Sequence, residues 1–141
     1  MSVKQISVFL ENKPGMLNQL TAELANSSID MRALSLAETK DFGIARIIAD
    51  DTLKAMNALK DAGFVASLTP VLAFEIPNEA GGLNKLLQIL TDANVNVEYM
   101  YSCLSVHSNQ KAVMIFRVAN TTASESALEA RGLFSLTQEE I

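Results

Sequence analysis

The sequence has almost no cysteine or histidine, two residue types that often carry out catalysis or bind metals. Its 141 residues include one cysteine, Cys103, one histidine, His107, and no tryptophan. A single cysteine excludes an internal disulfide and any metal site built from several thiolates of one chain. We expect Cys103 to be a small buried apolar residue, because His107 lies in a predicted turn and no nucleophile has a paired base. The sequence therefore predicts no enzyme activity, no cofactor and no metal.

Two further features are missing, namely long apolar runs and an excess of positive charge. Apolar runs extend over only a few residues, whereas a membrane-spanning helix needs about 20, and residues 1–5 lack the pattern of a signal peptide. Eleven basic and sixteen acidic residues give a net charge of -5, which repels the phosphate groups of nucleic acids and anionic lipids. We therefore expect a cytoplasmic protein that binds neither nucleic acid nor membrane.

The chain also lacks a linker rich in glycine, serine or proline, and instead it contains an internal repeat. Apolar residues make up 49% of the chain and charged residues 19%, so all of it should fold. The two copies are offset by about 66 residues, which predicts one unit at residues 1–69 and a second at residues 70–141. The repeated residues are Asn12, Gly15, Leu17, Asn18, Leu20 and Leu24, which fall on Asn78, Gly81, Leu83, Asn84, Leu86 and Leu90.

Each unit is predicted to contain strand, helix, strand, strand, helix and strand, in that order. Alternating apolar residues predict the strands, leucines at helical spacing predict the first helix, and Asp51 and Gly63 are expected to begin and end the second. Thr69 and Pro70 are the only connector between the units. This is a split βαβ arrangement, so the predicted fold class is α+β with antiparallel sheets. The predicted bounds are strand 3–10, a helix ending near residue 26, strands 29–38 and 42–50, helix 52–62 and strand 64–68, then strand 71–76, helix 80–93, strands 95–106 and 111–119, helix 121–131 and strand 132–136.

The strands of the second unit are apolar on both faces. Val113 and Ile115, for example, alternate with Met114 and Phe116. A sheet with helices on one face needs only one apolar face, so something must cover the other. We therefore expect one unit to pack on the other, or the protein to form a homodimer or a larger homo-oligomer.

The segment between the first strand and the first helix is the most informative part of each unit. A helix start presents unpaired backbone N–H groups and the positive end of the helix dipole, which suit a carboxylate, and a glycine lets a ligand approach the backbone. Asn12 and Asn78 can both donate and accept hydrogen bonds, which fits a ligand with a carboxylate and an ammonium group. The alternative is that each asparagine only caps its helix or turn.

The residues Asn-Lys-Pro-Gly-Met-Leu at positions 12–17, after an alternating strand, resemble the signature of ACT domains. The second loop keeps Asn78, Gly81 and Leu83 but has Ala80 in place of the proline. The whole chain resembles the small stand-alone proteins that contain two ACT domains. This resemblance implies ferredoxin-like units that pair side by side, and a regulatory, allosteric role in which a free amino acid binds at the seam between paired units.

The resemblance also implies which residues contact the ligand, namely the first loop and the start of the second strand. Because Gly82 stands where the first unit has the bulky Met16, the two seams should differ. The implied ligand-binding residues are Asn12, Pro14, Gly15, Met16, Leu17, Ile29, Asp30 and Met31 in the first unit, and Asn78, Gly81, Gly82, Leu83, Val95, Asn96 and Val97 in the second.

Other proteins with the same order of elements need residues that this sequence lacks. An RNA-recognition module needs stacking aromatic residues on its central strands and a basic surface. A metallochaperone needs two cysteines in the first loop, and an acylphosphatase-like enzyme needs an arginine there, whereas Lys13 is the only cation in either loop. The alternative that remains is a regulatory or structural subunit that associates with a metabolic enzyme or transporter through the ACT fold, without a ligand.

Overall fold

The chain folds into two compact units, each with an antiparallel sheet and two helices. The structure, a computed structural model, describes residues 2–104 and 108–141. The first unit is Lys4–Thr69, and the second is Pro70–Ile141 together with Met1–Val3. The predicted α+β fold class is confirmed.

The helices and strands follow the order that the repeat predicts, except at the end of each unit. Among the described residues, none of the helices is long and apolar enough to cross a membrane. The elements are β1 (Val3–Glu11), α1 (Met16–Asn26), β2 (Met31–Glu38), β3 (Phe42–Ala49), α2 (Thr52–Asp61), β4 (Val65–Pro77), α3 (Gly82–Asp92), β5 (Val97–Ser102), β6 (Lys111–Val118) and α4 (Thr121–Glu129), followed by a short 3-10 helix at Gln138–Glu140.

Two predictions about strands are wrong. The expected connector at Thr69 and Pro70 is part of the continuous strand β4, because the φ of proline suits an extended strand and only its missing N–H limits its pairing. The strand predicted at residues 132–136 is absent. There the backbone N–H of Leu136 donates to the carbonyl oxygen of Ala73 at 2.8 Å, and one such bond does not make a ladder.

The third strand of each copy of the repeat, β3 in the first unit and β6 in the second, has a neighbouring strand on both sides. The strand order is β2-β3-β1-β4 in the first unit and β4-β6-β5 in the second. Leu10 of β1 is paired with Gly43 of β3, and Gly43 is also paired with Glu38 of β2. These three residues therefore lie side by side on one face of the sheet, next to the loop that precedes α1.

The helices cover one face of each sheet and form its core. The core residues of the first unit include Ile6, Val8, Leu20, Leu24, Ile47 and Leu59. Those of the second include Leu72, Phe74, Leu86, Leu90, Phe116 and Leu128.

The faces that lack helices differ between the two units. In the second unit Ala73 and Ile115 are fully buried and Tyr101 is 9% exposed within the single chain. The two-faced apolar pattern of those strands is thus satisfied without a second copy of the protein. In the first unit the side chains of Phe9 and Phe42 are 50% and 57% exposed, so an uncovered apolar area lies on this unit instead.

Candidate functional site

A cavity of about 220 Å³ opens in the first unit beside the loop between β1 and α1. We call it the first-loop pocket. Gly43 forms part of its floor. Its apolar lining is Leu10, Met16, Leu17 and Leu36, and its polar lining is Glu11, Asn12, Lys13 and Glu38.

The loop is held in place by Asn12, which binds the turn between β2 and β3. Its backbone N–H donates to the carbonyl oxygen of Asp41 at 2.9 Å. Its side-chain Nδ2 donates to the carbonyl oxygens of Thr39 at 3.1 Å and Lys40 at 3.4 Å, and to Glu38 Oε2 at 3.3 Å. Asn12 therefore fastens the loop to the hairpin turn. Of the alternative that Asn12 caps its helix or a turn, the contact to a turn is present, whereas no side-chain hydrogen bond caps α1 at Gly15.

Glycine determines where α1 begins. Gly15 has φ of 89°, a left-handed conformation that residues with a Cβ adopt at a cost. Its carbonyl oxygen accepts the first intrahelical bond, from Gln19 N–H at 2.9 Å. The turn from Pro14 to Gly15 thus brings Met16 and Leu17, the first residues of the helix, to the wall of the first-loop pocket.

The charged groups of the pocket are both positive and negative. Lys13 Nζ lies 3.2 Å from Glu11 Oε2, and both side chains are more than half exposed, so this pair contributes little to stability. Glu38 accepts its bond from the neutral amide of Asn12, which leaves its charge uncompensated by that partner. The pocket therefore presents an ammonium and two carboxylates around an apolar floor.

The second loop repeats the asparagine contact but has different charges, since Glu79 stands at the position of Lys13 and lies 3.7 Å from Lys85 Nζ. Asn78 N–H donates to the carbonyl oxygen of Gln110 at 2.8 Å, and its Nδ2 donates to that of Asn109 at 3.2 Å. By the repeat and the strand pairing, Pro77 stands at the position of Glu11. Leu104 stands at that of Glu38. The counterpart of the first-loop pocket thus lacks both carboxylates.

Gly82 replaces the bulky Met16 for a physical reason. A Cβ added at Gly82 would overlap the backbone carbonyl oxygen of Pro77, the residue at the end of β4. Gly81 before it has φ of 83°. The two glycines therefore allow the second loop to fold closely onto the end of its own strand. Whether the two seams differ in ligand binding, as the resemblance implies, stays a prediction.

The residues predicted from the start of the second strand do not lie near the first loop of their own unit. Met31 is paired with Ala49 at one end of β2, and Glu38 lies at the other. Strands rise about 3.3 Å per residue, so these ends are more than about 20 Å apart. The predicted residues Ile29, Asp30 and Met31 therefore lie far from Asn12, Pro14, Gly15, Met16 and Leu17, as do Val95, Asn96 and Val97 from Asn78, Gly81, Gly82 and Leu83.

Asp30 has a local structural role at its end of the sheet. Its N–H donates to Asp50 Oδ1 at 3.1 Å and its carbonyl oxygen accepts from Asp50 N–H at 3.0 Å. Its carboxylate lies 3.4 Å from Arg32 Nε. These contacts fix the entry into β2 and the exit from β3.

Six residues that line the pocket are not among the predicted ligand-binding residues, namely Leu10, Glu11 and Lys13 around the first loop and Leu36, Glu38 and Gly43 on β2 and β3. The signal that was available is the predicted turn at residues 39–41, because a hairpin there pairs the end of β2 with the start of β3. What the sequence did not show is that β1 lies beside β3, which brings the first loop to this turn.

Cys103 does not have the properties of a nucleophile. It is half-buried, and burial raises the pKa of its thiol from 9.0 to about 11, so it stays protonated near neutral pH. The prediction that His107 lies in a hairpin turn falls outside the described residues. Elsewhere in the second unit Arg117 Nε lies 3.5 Å from Glu98 Oε1, and Arg117 Nη1 donates to the carbonyl oxygen of Pro70 at 2.8 Å.

Comparison with known proteins gives three findings. A family model described as an ACT domain pair matches residues 1–140. The structure of protein BT0572 from Bacteroides thetaiotaomicron is similar with a TM-score of 0.90 and 38% identity, over 99% of this chain and 95% of that one. A search of curated protein sequences finds no match.

Two more distant structures share the fold. They are the regulatory subunits of aspartate kinase from Thermus thermophilus, in a ligand-free form, and from Thermus flavus. Their identities are 18% and 19% and their TM-scores 0.68 and 0.62, over 92% and 90% of this chain and 90% and 88% of theirs.

Proposed function

Because the chain belongs to the ACT domain pair family, a regulatory ligand-binding fold, we propose that it is a non-catalytic regulatory protein that binds a free amino acid in the first-loop pocket. The observation that carries this proposal is the set of charges around that pocket. An amino acid needs a partner for its ammonium and another for its carboxylate. Glu38 offers the first, and Lys13 with the N-terminal turn of α1 offers the second.

The size and the floor of the pocket support the same ligand class. A cavity of about 220 Å³ is smaller than the roughly 300 to 1,000 Å³ typical of drug-sized ligands. It suits a ligand of a few heavy atoms and not a nucleotide. Leu10, Leu36 and Leu17 would surround an apolar side chain of that ligand.

The seam predicted from the family resemblance requires residues from two units. The start of the second strand cannot reach the loop of its own unit, since β2 has eight residues and separates them. In our proposal the first loop supplies the charged part of the site. The contribution of Ile29–Met31 and Val95–Val97 from another unit stays a prediction.

A second candidate function is a ligand-free subunit that associates with a metabolic enzyme or transporter. It is favoured by the contacts of Asn12 and Asn78, which fasten each loop to its hairpin turn and need no ligand. The two distant relatives are themselves regulatory subunits of an enzyme. We propose a cytoplasmic location and self-association for either function.

A thermal-shift screen of the twenty amino acids separates the two functions. A ligand at about 100 times its dissociation constant stabilises a protein by about 2.7 kcal/mol, which raises the melting temperature visibly. Glu38→Gln keeps the shape of the side chain and removes its charge, so the shift should shrink strongly. Glu129→Gln, at an exposed position on α4, is the matched control and should respond like the wild type.

Each outcome of the thermal-shift screen supports a different conclusion. A shift with one or a few amino acids that Glu38→Gln reduces supports the proposal. A shift that Glu38→Gln leaves unchanged would place the ligand elsewhere on the protein. The absence of a shift with all twenty amino acids would favour the ligand-free subunit.

A further inference from the structure

The floor of the first-loop pocket contains a glycine that the backbone does not require. Gly15 and Gly81 have positive φ values, whereas Gly43 is the second residue of β3 and is paired there with Leu10 and Glu38. A Cβ added at Gly43 would meet the carbonyl oxygen of Ala37 and Leu36 Cδ1, both at 3.4 Å. An alanine would therefore fit the fold with little adjustment. The missing side chain needs another explanation.

The position of Gly43 supplies one. An added Cβ would approach Leu36, which lines the first-loop pocket, and Gly43 itself lines that pocket. A methyl group there would enter the cavity from its floor. Glycine at this position thus keeps open the space that faces the apolar wall of the pocket.

The second unit shows what happens when this position has a side chain. Leu10 is paired with Gly43, and its repeat counterpart Ile76 is paired with Ala112. Ala112 is half-buried and packs against the apolar core of its unit. The methyl group that Gly43 lacks is therefore accommodated in the same fold at the equivalent place.

We propose that Gly43 is the specificity-determining residue of the pocket, and that it makes the first unit the one that binds a ligand, at one ligand per chain. This inference rests on the proposed function. The side chain of an aliphatic amino acid lies over Gly43, between Leu36 and Leu17. In the second unit Ala112 occupies that space and Leu104 replaces the carboxylate of Glu38.

The test is calorimetry with glycine, L-alanine, L-valine and L-leucine as probes. For the wild type we expect affinity to rise from glycine to the larger side chains, with one site per chain. Gly43→Ala should lower the affinity for L-leucine by about tenfold or more, as one methylene in an apolar pocket does, and that for glycine by less than about twofold. Ala112→Gly is the control in the second unit. It should leave the affinity of the first-unit site and the number of sites unchanged, because Leu104 still stands in place of the carboxylate. Melting temperature without ligand checks that each variant is folded.

Leu36→Ala provides a second and independent variant. Leu36 is 52% exposed, so its truncation should not unfold the protein, and it enlarges the pocket on the side of Gly43. We expect it to shift the preference toward L-phenylalanine.

Three results would overturn the inference while leaving the proposed function standing. The first is equal loss of glycine and L-leucine affinity in Gly43→Ala. The second is two sites per chain in the wild type. The third is no binding of any of the four probes although another amino acid raises the melting temperature. If none of the twenty amino acids raises it, the proposed function itself fails.

Discussion

The side-chain amide of Asn12 donates to the carbonyl oxygen of Thr39 at 3.1 Å and thereby joins the first loop to the turn between β2 and β3. Asn78 makes the equivalent contact to Asn109 at 3.2 Å. A neutral hydrogen bond stabilises a fold by about 0.5 to 1.5 kcal/mol net. We therefore expect Asn78→Ala to lower the free energy of unfolding by about 1 kcal/mol, and Asn12→Ala to lower it by more, because the Asn12 amide also donates to Lys40 and Glu38.

Their effects on ligand binding should differ. Asn12 also holds Glu38 through a bond of 3.3 Å, so its loss frees the carboxylate that we assign to the ligand ammonium. We expect affinity to fall by about tenfold or more in Asn12→Ala, a loss of about 1.4 kcal/mol or more, and to stay unchanged in Asn78→Ala. Denaturant unfolding and calorimetry measure the two quantities. Equal losses of affinity would mean that the loops are equivalent.

The sequence predicted the fold better than the site. Periodicity and the repeat are local signals, so they predicted Asp51 as the cap of α2, whose Oδ1 accepts from Lys54 N–H at 3.0 Å. The pocket depends on the long-range pairing of Leu10 with Gly43, which no local pattern encodes. In residues 132–136 apolar and polar side chains alternate only weakly. Whether such a segment joins a sheet depends on whether the sheet offers it a free edge strand, and the sequence does not show this.

The exposed aromatic residues of the first unit give a test of the predicted homo-oligomer. Phe42 is 57% exposed and lies at the position that Lys111 has in the second unit. Phe42→Lys therefore introduces a residue that the same fold already tolerates there. If a second copy covers this face, the dissociation constant of the dimer should rise by about tenfold or more, since a buried interface aromatic contributes about 2 kcal/mol or more.

Light scattering over a dilution series measures this change. Leu53→Lys is the matched control, because Leu53 is 71% exposed on α2 and lies away from this face. A wild type that is monomeric throughout the series would contradict the predicted self-association. A dimer that both variants leave intact would place the interface elsewhere.

The raised pKa of Cys103 predicts slow reaction with thiol reagents. Thiolate is the reactive form, and a rise of the pKa from 9.0 to about 11 lowers its fraction near neutral pH by about a hundredfold. Labelling should therefore be about a hundredfold slower in the native protein than in denaturant. The native rate should keep rising up to a pH of about 11.

The same shift has a defined effect on stability. The neutral thiol is favoured in the folded state, so its contribution is fully present below pH 9.0 and is lost as the pH rises toward about 11. Cys103→Ala removes this titration. The difference in the free energy of unfolding between this variant and the wild type, measured across the same pH range, therefore isolates the contribution of the thiol.

In the labelling experiment, equal rates in the native and unfolded protein would show that Cys103 is exposed.

Asn120 combines a helix cap with a left-handed backbone. Its φ is 48°, and its Oδ1 accepts from Ala123 N–H at 3.2 Å at the start of α4. Asn120→Ala loses the cap, worth about 1 kcal/mol, and adds the strain of a Cβ in this conformation, about 1 to 2 kcal/mol. Asn120→Gly loses the cap alone, so thermal unfolding should show a clearly smaller effect. Identical losses would mean that backbone strain is negligible here.

Two glycine-to-alanine substitutions should lower the free energy of unfolding to very different extents. A Cβ at Gly82 would overlap the backbone carbonyl oxygen of Pro77, whereas a Cβ at Gly43 would meet its neighbours at 3.4 Å, an ordinary contact. Because the neighbour of Gly82 is backbone, it cannot rotate away as a side chain would. We expect Gly82→Ala to lower the free energy of unfolding by about 1 to 3 kcal/mol, as overpacking does, and Gly43→Ala to change it by less than about 1 kcal/mol. Denaturant unfolding of both variants measures the difference. If Gly82→Ala were as stable as the wild type, the second loop would have to move away from the end of β4, and the assigned reason for glycine at that position would be wrong.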